Sequence, residues 1–340
     1  MRFLKWTAIV LLLLVAIYIL GPHPSTPVYS ATMPVVPSTG AALEDYIKSN
    51  EAKHKVKPDN EARIVWANDS LKQKTAFAIV YLHGFSASQE EGDPVHRDIA
   101  KTFGCNLYLS RLAEHGIDTI SPMINLTADA YWESAKEALA IGKQLGDKVI
   151  LMGTSTGGTN ALQLAATYPD DIFALLLMSP NIAINNDKAY LLNNPWGLQI
   201  AKMVTGTDHI TASDSRDIYK QYWYYQYPVQ GAIALQEMLE TAMTPETFQK
   251  VKQPTLLLYY YKDSIHQDSV VSVPAMLNMF EELGSGIKVK KAVPNAGNHV
   301  MGSYIKSGDL PTVMFSIKDF MRDQLRMTVV NDSAINRLSK

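Results

Sequence analysis

Gly153-Thr154-Ser155-Thr156-Gly157 sets one serine between two glycines, after the apolar run Lys148–Met152 and before a helical stretch from Thr159. A serine on a tight strand-to-helix turn is held in a strained conformation with its hydroxyl exposed, and the glycines let neighbouring backbone pack around the turn. The helix N-terminus also aims free N–H groups and positive dipole at the site. The chemistry implied is nucleophilic attack on a carbonyl. A serine hydroxyl is a weak nucleophile at neutral pH and needs a base. His299, in Asn295-Ala296-Gly297-Asn298-His299-Val300, follows the last expected strand and supplies one. His266 is its rival, since it also follows a late strand. His23, His54, His96, His115 and His209 do not fit the chain order serine, acid, histidine.

The acid has two candidates after the strand expected at Thr255–Tyr261. Asp263 comes at once and is placed first. Asp268 precedes Ser269-Val270-Val271, an apolar pair suited to packing beneath an acid, and is placed second. The acid's task is to accept a hydrogen bond from the imidazole, fix its tautomer and stabilise the imidazolium. An oxyanion hole needs two donors aimed at the developing charge. One is the backbone N–H of Thr156. The other is assigned to Phe85 in His83-Gly84-Phe85, directly after the run Phe77–Leu82. His83 itself is read as structural.

These residues need a frame. Phe77–Leu82, Asn106–Leu109, Lys148–Met152, Phe173–Met178 and Thr255–Tyr261 are largely apolar runs of strand length, and Lys288–Val293 is read as the last strand. Near-continuous apolar runs suit strands covered on both faces. Helices are expected at Ala41–Glu51, Ala130–Leu145, Thr159–Tyr168 and Leu310–Leu325. This alternation predicts an α/β fold with a mostly parallel sheet and helices on both faces. Residues 181–250 break the rhythm and carry Tyr219, Tyr222, Trp223, Tyr224, Tyr225 and Tyr227. They are expected to form a helical lid insertion over the carboxyl ends of the strands, with aromatic side chains walling an apolar pocket.

The N-terminus reads as an export signal. Arg2 and Lys5 precede an uncharged run from Trp6 to Leu20, followed by a segment rich in Pro, Ser and Thr over residues 21–40. Residues 1–20 are expected to be a membrane anchor or a cleaved signal peptide, residues 21–40 a linker, and residues 41–340 the folded domain. Either way the domain is placed on the non-cytoplasmic side, tethered to the membrane or exported to the periplasm or extracellular space. Asn68, Asn125 and Asn331 begin Asn-x-Ser/Thr strings, relevant to an exported chain.

Composition narrows the function. The 340 residues carry a formal net charge of −2, without the basic excess of a nucleic-acid binder. The lone cysteine, Cys105, rules out an intramolecular disulfide and is read as a packing residue. No spacing implies a metal, and no phosphate-cradling or dinucleotide loop implies a cofactor.

With these motifs in order, the chain resembles the α/β-hydrolase superfamily, in its esterase, monoacylglycerol lipase and lysophospholipase branch. The resemblance rests on His83-Gly84-Phe85, Glu114-His115-Gly116, Gly153–Gly157, Pro254 opening a strand that leads to Asp263, and Gly297-Asn298-His299-Val300. Glu114 stands where the family usually has glycine. The resemblance implies hydrolysis of a carboxylic ester through an acyl-serine intermediate, the substrate being an ester or lipid such as an acylglycerol or lysophospholipid. A serine peptidase or aminopeptidase, or a thioesterase, uses the same residues. An aminopeptidase would need acidic residues for the substrate amine, and Asp208, Asp214, Asp217, Glu237 and Glu240 lie in the insertion. A non-catalytic binding protein is the remaining alternative, since fold does not fix function.

Overall fold

A computed structural model of the chain describes residues 2–330. Asn331 lies outside the described residues. Asn68 and Asn125 are exposed.

Seven strands form one sheet: β1 (Arg63–Val65), β2 (Thr75–Leu82), β3 (Asn106–Leu109), β4 (Gly146–Thr154), β5 (Ile172–Met178), β8 (Thr255–Tyr259) and β9 (Lys288–Ala292). Their order is β1-β3-β2-β4-β5-β8-β9. Only β1 runs antiparallel, against β3; the other pairs are parallel. The edge strand β1 falls in a stretch that reads as polar and charged overall, and its short apolar run Ile64–Ala67 is not among the expected strands.

Period-two alternation divides the core. Ala78, Val80 and Leu82 of β2, with Val149 and Leu151 of β4, face one cluster; Ile79, Tyr81, Ile150 and Met152 face the other. The first cluster is covered by α2 (Ala41–Glu51), α4 (Ala128–Leu145), α5 (Thr156–Thr167), α9 (Pro245–Lys250) and α10 (Val273–Glu282). The second is covered by α3 (Val95–Phe103) and α11 (Leu310–Asp323). Cys105 packs in the second cluster; burial pushes its thiol up to about 12, so it is an inert packing group.

The segment between β5 and β8 holds α6 (Gly197–Thr205), α7 (Asp217–Tyr222), α8 (Val229–Ala242) and α9. It also holds a ribbon of β6 (His209–Thr211) and β7 (Gln226–Pro228), which the expectation of a purely helical insertion missed.

At the N-terminus, α1 (Arg2–Ile19) is 18 residues long, about 27 Å at ~1.5 Å per residue. Among the described residues, no helix is long and apolar enough to cross a membrane. The expectation of a membrane anchor therefore gains no support. The following segment, read as a linker, lies extended against the domain. Trp132 Nε1 and Lys136 Nζ both donate to the Ser30 carbonyl, and Lys136 also to that of Thr32. Tyr29 Oη meets Thr241 Oγ1 of α8 at 2.7 Å.

Candidate active site

The parallel strands place their carboxyl ends together, and the site forms there. Ser155 caps α5 directly beyond β4, at φ 53° and ψ −121°. This conformation is strained for any residue with a Cβ, and it is kept because its surroundings fix it. Ser155 N–H donates to Met178 O at the end of β5, while its carbonyl accepts from Gly158 and Asn181 N–H. Gly157 cannot be replaced, since a Cβ there would lie 1.8 Å from Leu82 O. Thr156 is the first residue of α5, so its N–H has no acceptor within the helix.

His299 donates from Nδ1 to Asp268 Oδ2 at 2.6 Å, and the pair is buried. Asp268 Oδ1 accepts the N–H groups of Val270 and Val271, at 2.9 and 3.1 Å. Burial alone would push the Asp268 carboxyl up; the charge and hydrogen bond of His299 hold it below its ordinary value. Burial likewise disfavours the charged imidazole, yet Asp268 leaves His299 above its ordinary 6.5.

The ranking of Asp263 over Asp268 is thereby reversed. Strand β8 stops at Tyr259, not at Tyr261, and the chain then makes an excursion that closes on itself. Tyr261 bridges Gln267, and the N–H groups of Lys262 and Asp263 point to His266 O. The excursion carries Asp263 into solvent, where it pairs with the exposed His266 at 3.0 Å. It returns with Asp268 N–H on Tyr260 O, so Asp268 takes the strand-end position that the sequence offered to Asp263.

Phe85 follows a loop pinned by two neutral histidines. His83 Nδ1 donates to Gly84 O at 2.9 Å and its Nε2 accepts Leu112 N–H at 3.0 Å. His115 Nδ1 donates to Ala113 O and its Nε2 accepts Ser86 N–H, at 2.7 and 3.0 Å. An acceptor Nε2 requires the uncharged ring, and burial, which lowers His83 to about 4, keeps it so. His115 is also held low by burial. Glu114, the departure from the usual glycine, sits at φ 63°, the left-handed region that glycine adopts most easily.

Ser155, His299, Phe85, Asn181 and Asn298 share one cavity of about 510 Å³. The insertion supplies Tyr219, Trp223 and Tyr227 to its wall, with Tyr219 and Trp223 stacked at 5.1 Å between centroids. Tyr224 is instead a buried strut whose hydroxyl bonds Ile117 and Glu114. Tyr222 reaches Asp59. Among the insertion's carboxylates named above, Asp214 reaches this cavity, where Lys306 and Arg216 pair with it. Sequence reasoning overlooked Glu91, which is buried in the same wall. Its signal, a glutamate seven residues beyond Gly84 in a polar stretch, has no periodicity to betray it. Among the described residues, no cluster of His, Cys, Asp or Glu is arranged to hold a metal.

The model of the serine aminopeptidase S33 family of hydrolases (Hydrolase_4) matches residues 127–299, half of the chain. The chain belongs to this family. The matched span holds Ser155, the insertion, Asp268 and His299, while the Phe85 loop precedes it. No match is found among curated proteins. Solved structures similar in fold include a metagenome-derived lipolytic enzyme, at 19% identity and a TM-score of 0.63, covering 78% of this chain and 99% of that one. A soluble variant of monoglyceride lipase from Saccharomyces cerevisiae follows, at 13% identity and TM-score 0.56, covering 79% and 92%. A monoacylglycerol lipase from Paleococcus ferrophilus gives 15% and 0.53, covering 77% and 98%. At these identities the likeness shows the α/β-hydrolase fold, and this S33 member shares it.

The imidazole must be uncharged to take a proton. Because Asp268 raises His299, the acid limb of kcat/KM is expected to have its midpoint above 6.5. Hydrolysis rates across a buffered pH series, at substrate well below KM, check this. A midpoint below 6.5 would contradict the paired geometry.

Proposed function

We propose that this protein is a serine hydrolase that cleaves carboxylic esters through an acyl-serine intermediate. The observation that carries the reading is the buried His299–Asp268 pair at 2.6 Å, whose imidazole lines one cavity with Ser155 on its strained turn. Ser155 attacks the ester carbonyl while His299 takes its proton at Nε2. The N–H groups of Phe85 and Thr156 bind the oxyanion. His299 then protonates the leaving alcohol, and water, activated by the same base, releases the acid.

The aromatic wall of Tyr219, Trp223 and Tyr227 supports an apolar acyl group, as in an acylglycerol or lysophospholipid. The matched family's description supports aminopeptidase activity as the second reading. Against it, Asp214 is already paired with Lys306 and Arg216 rather than open to a substrate amine. The basic start, apolar α1 and Pro/Ser/Thr-rich stretch support export of the domain, α1 acting as the signal.

A p-nitrophenyl ester series from acetyl to palmitoyl, run beside aminoacyl p-nitroanilides, tests the substrate class. Turnover of esters with an optimum at medium or long chains is expected. Turnover of the anilides alone would replace the ester reading with the peptidase one. A dead panel together with no fluorophosphonate labelling of Ser155 would remove the catalytic reading altogether.

A further inference from the structure

Glu91 lies inside the catalytic cavity without a place in the scheme above. It belongs to a short turn, Gln89–Gly92, beyond the Phe85 loop, and is 2% exposed. Its Oε2 accepts Gly84 N–H at 2.5 Å and the Tyr81 hydroxyl at 3.4 Å. Gly84 is wedged between this carboxylate and the nucleophile. A Cβ on Gly84 would lie 2.7 Å from Glu91 Oε1 and 3.0 Å from Ser155 Cβ. The next residue is Phe85, whose N–H is the assigned oxyanion donor.

We infer that Glu91 is a positioning residue: its carboxylate holds the Gly84 peptide, and through it the Phe85 N–H, over Ser155, while its charge supports protonated His299. The inference rests on the proposed acyl-transfer role of this site. A hydrogen bond from a backbone N–H to a carboxylate is stronger than one to a neutral acceptor, so it fixes the loop more firmly than a neutral group would.

The groups facing Glu91 are few. Tyr81 comes from β2, Tyr131 from α4, Tyr219 from α7 and His299 from the loop after β9. Its own turn adds Glu90, with Asp93 just beyond, and the cavity wall adds the Lys306–Asp214 pair. Burial pushes the Glu91 carboxyl up to about 7, against the lowering effect of Gly84 N–H and of the His299 charge. The Glu91 charge in turn adds to that of Asp268 in raising His299. In the proton-transfer step, His299 gains the serine proton and its positive charge is met by Asp268 at Nδ1 and by the charge of Glu91 in the same cavity wall. No proton passes to Glu91.

Glu91→Gln and Glu91→Ala in the full chain test this, with p-nitrophenyl butyrate hydrolysis and the rate of fluorophosphonate labelling of Ser155 both followed against pH. The Ala variant is expected to lose about 10- to 100-fold in kcat with KM changed less than about threefold, as for a misplaced oxyanion donor. The Gln variant keeps an acceptor for Gly84 N–H and is expected to recover kcat to within about threefold at alkaline pH. Its acid limb should move to lower pH, because His299 loses a neighbouring negative charge and becomes less basic. An Ala variant with unchanged kcat and pH profile overturns the inference. So does a Gln variant whose limb does not move, which decides the matter even if the Ala variant fails to fold. If the unaltered protein neither turns over esters nor labels, the site reading fails first. If it labels but hydrolyses nothing tried, the labelling rates of both variants carry the same test.

Discussion

Replacing Ser155 by alanine is expected to lower kcat on an active ester by about 10⁶-fold, the effect of removing the nucleophile from a serine triad. Fluorophosphonate labelling should vanish with it. Stability should hold, because the turn is fixed by backbone bonds from Ser155 N–H to Met178 O and from Asn181 N–H to Ser155 O, which alanine retains. Thermal unfolding of the variant beside the parent checks the second half of the claim. A variant that unfolds at the parent's temperature yet keeps more than a trace of turnover would mean another group attacks the carbonyl.

The second large effect separates the two aspartates. Asp268→Asn is expected to cost about 10⁴-fold in kcat, the loss seen when a triad acid becomes an amide and the imidazole is held in the wrong tautomer. The geometry explains the size. Oδ2 accepts from His299 Nδ1 at 2.6 Å, and Oδ1 is occupied by two backbone N–H groups, so an amide must either lose those or offer its NH₂ to the imidazole. Asp263→Asn should leave kcat within about twofold, since its carboxylate lies in solvent and meets only its own loop and His266. Steady-state kinetics on the pair of variants decide it. Equal losses, or a larger one at position 263, would sink the assignment of Asp268.

The sequence carried most of this site because its chemistry is written in local patterns. Ser155 could be found because a strand, two glycines and a helix meet there within a few residues. Phe85 and His299 could be found because each lies in a short glycine-containing loop directly after an expected strand. The acid was harder. Choosing between Asp263 and Asp268 depends on where β8 stops, and strand ends are set by pairing with β5 and β9 rather than by apolarity. Tyr260 and Tyr261 read as strand, yet the β8–β9 ladder ends at Tyr259 paired with Ala292. Glu91 was illegible for a related reason. Its significance comes from Gly84, seven positions earlier, and from Ser155, and a lone glutamate in a polar loop announces neither contact. The edge strand β1 and the ribbon β6–β7 are each three residues long, too short for periodicity to register.

The extended stretch after α1 bears on how the molecule would be matured. The Lys136 ammonium is 1% exposed and rests on the Ser30 and Thr32 carbonyls together with Glu133. A peptidase cutting near Gly21 would release α1 and leave this clasp whole. A cut after Ser30 would strip one carbonyl from a buried cation and free the indole of Trp132, so the newly made end would be looser than the one it replaced. Residues that read as spacer thus complete the fold, and only a cut upstream of Tyr29 would keep every one of these bonds.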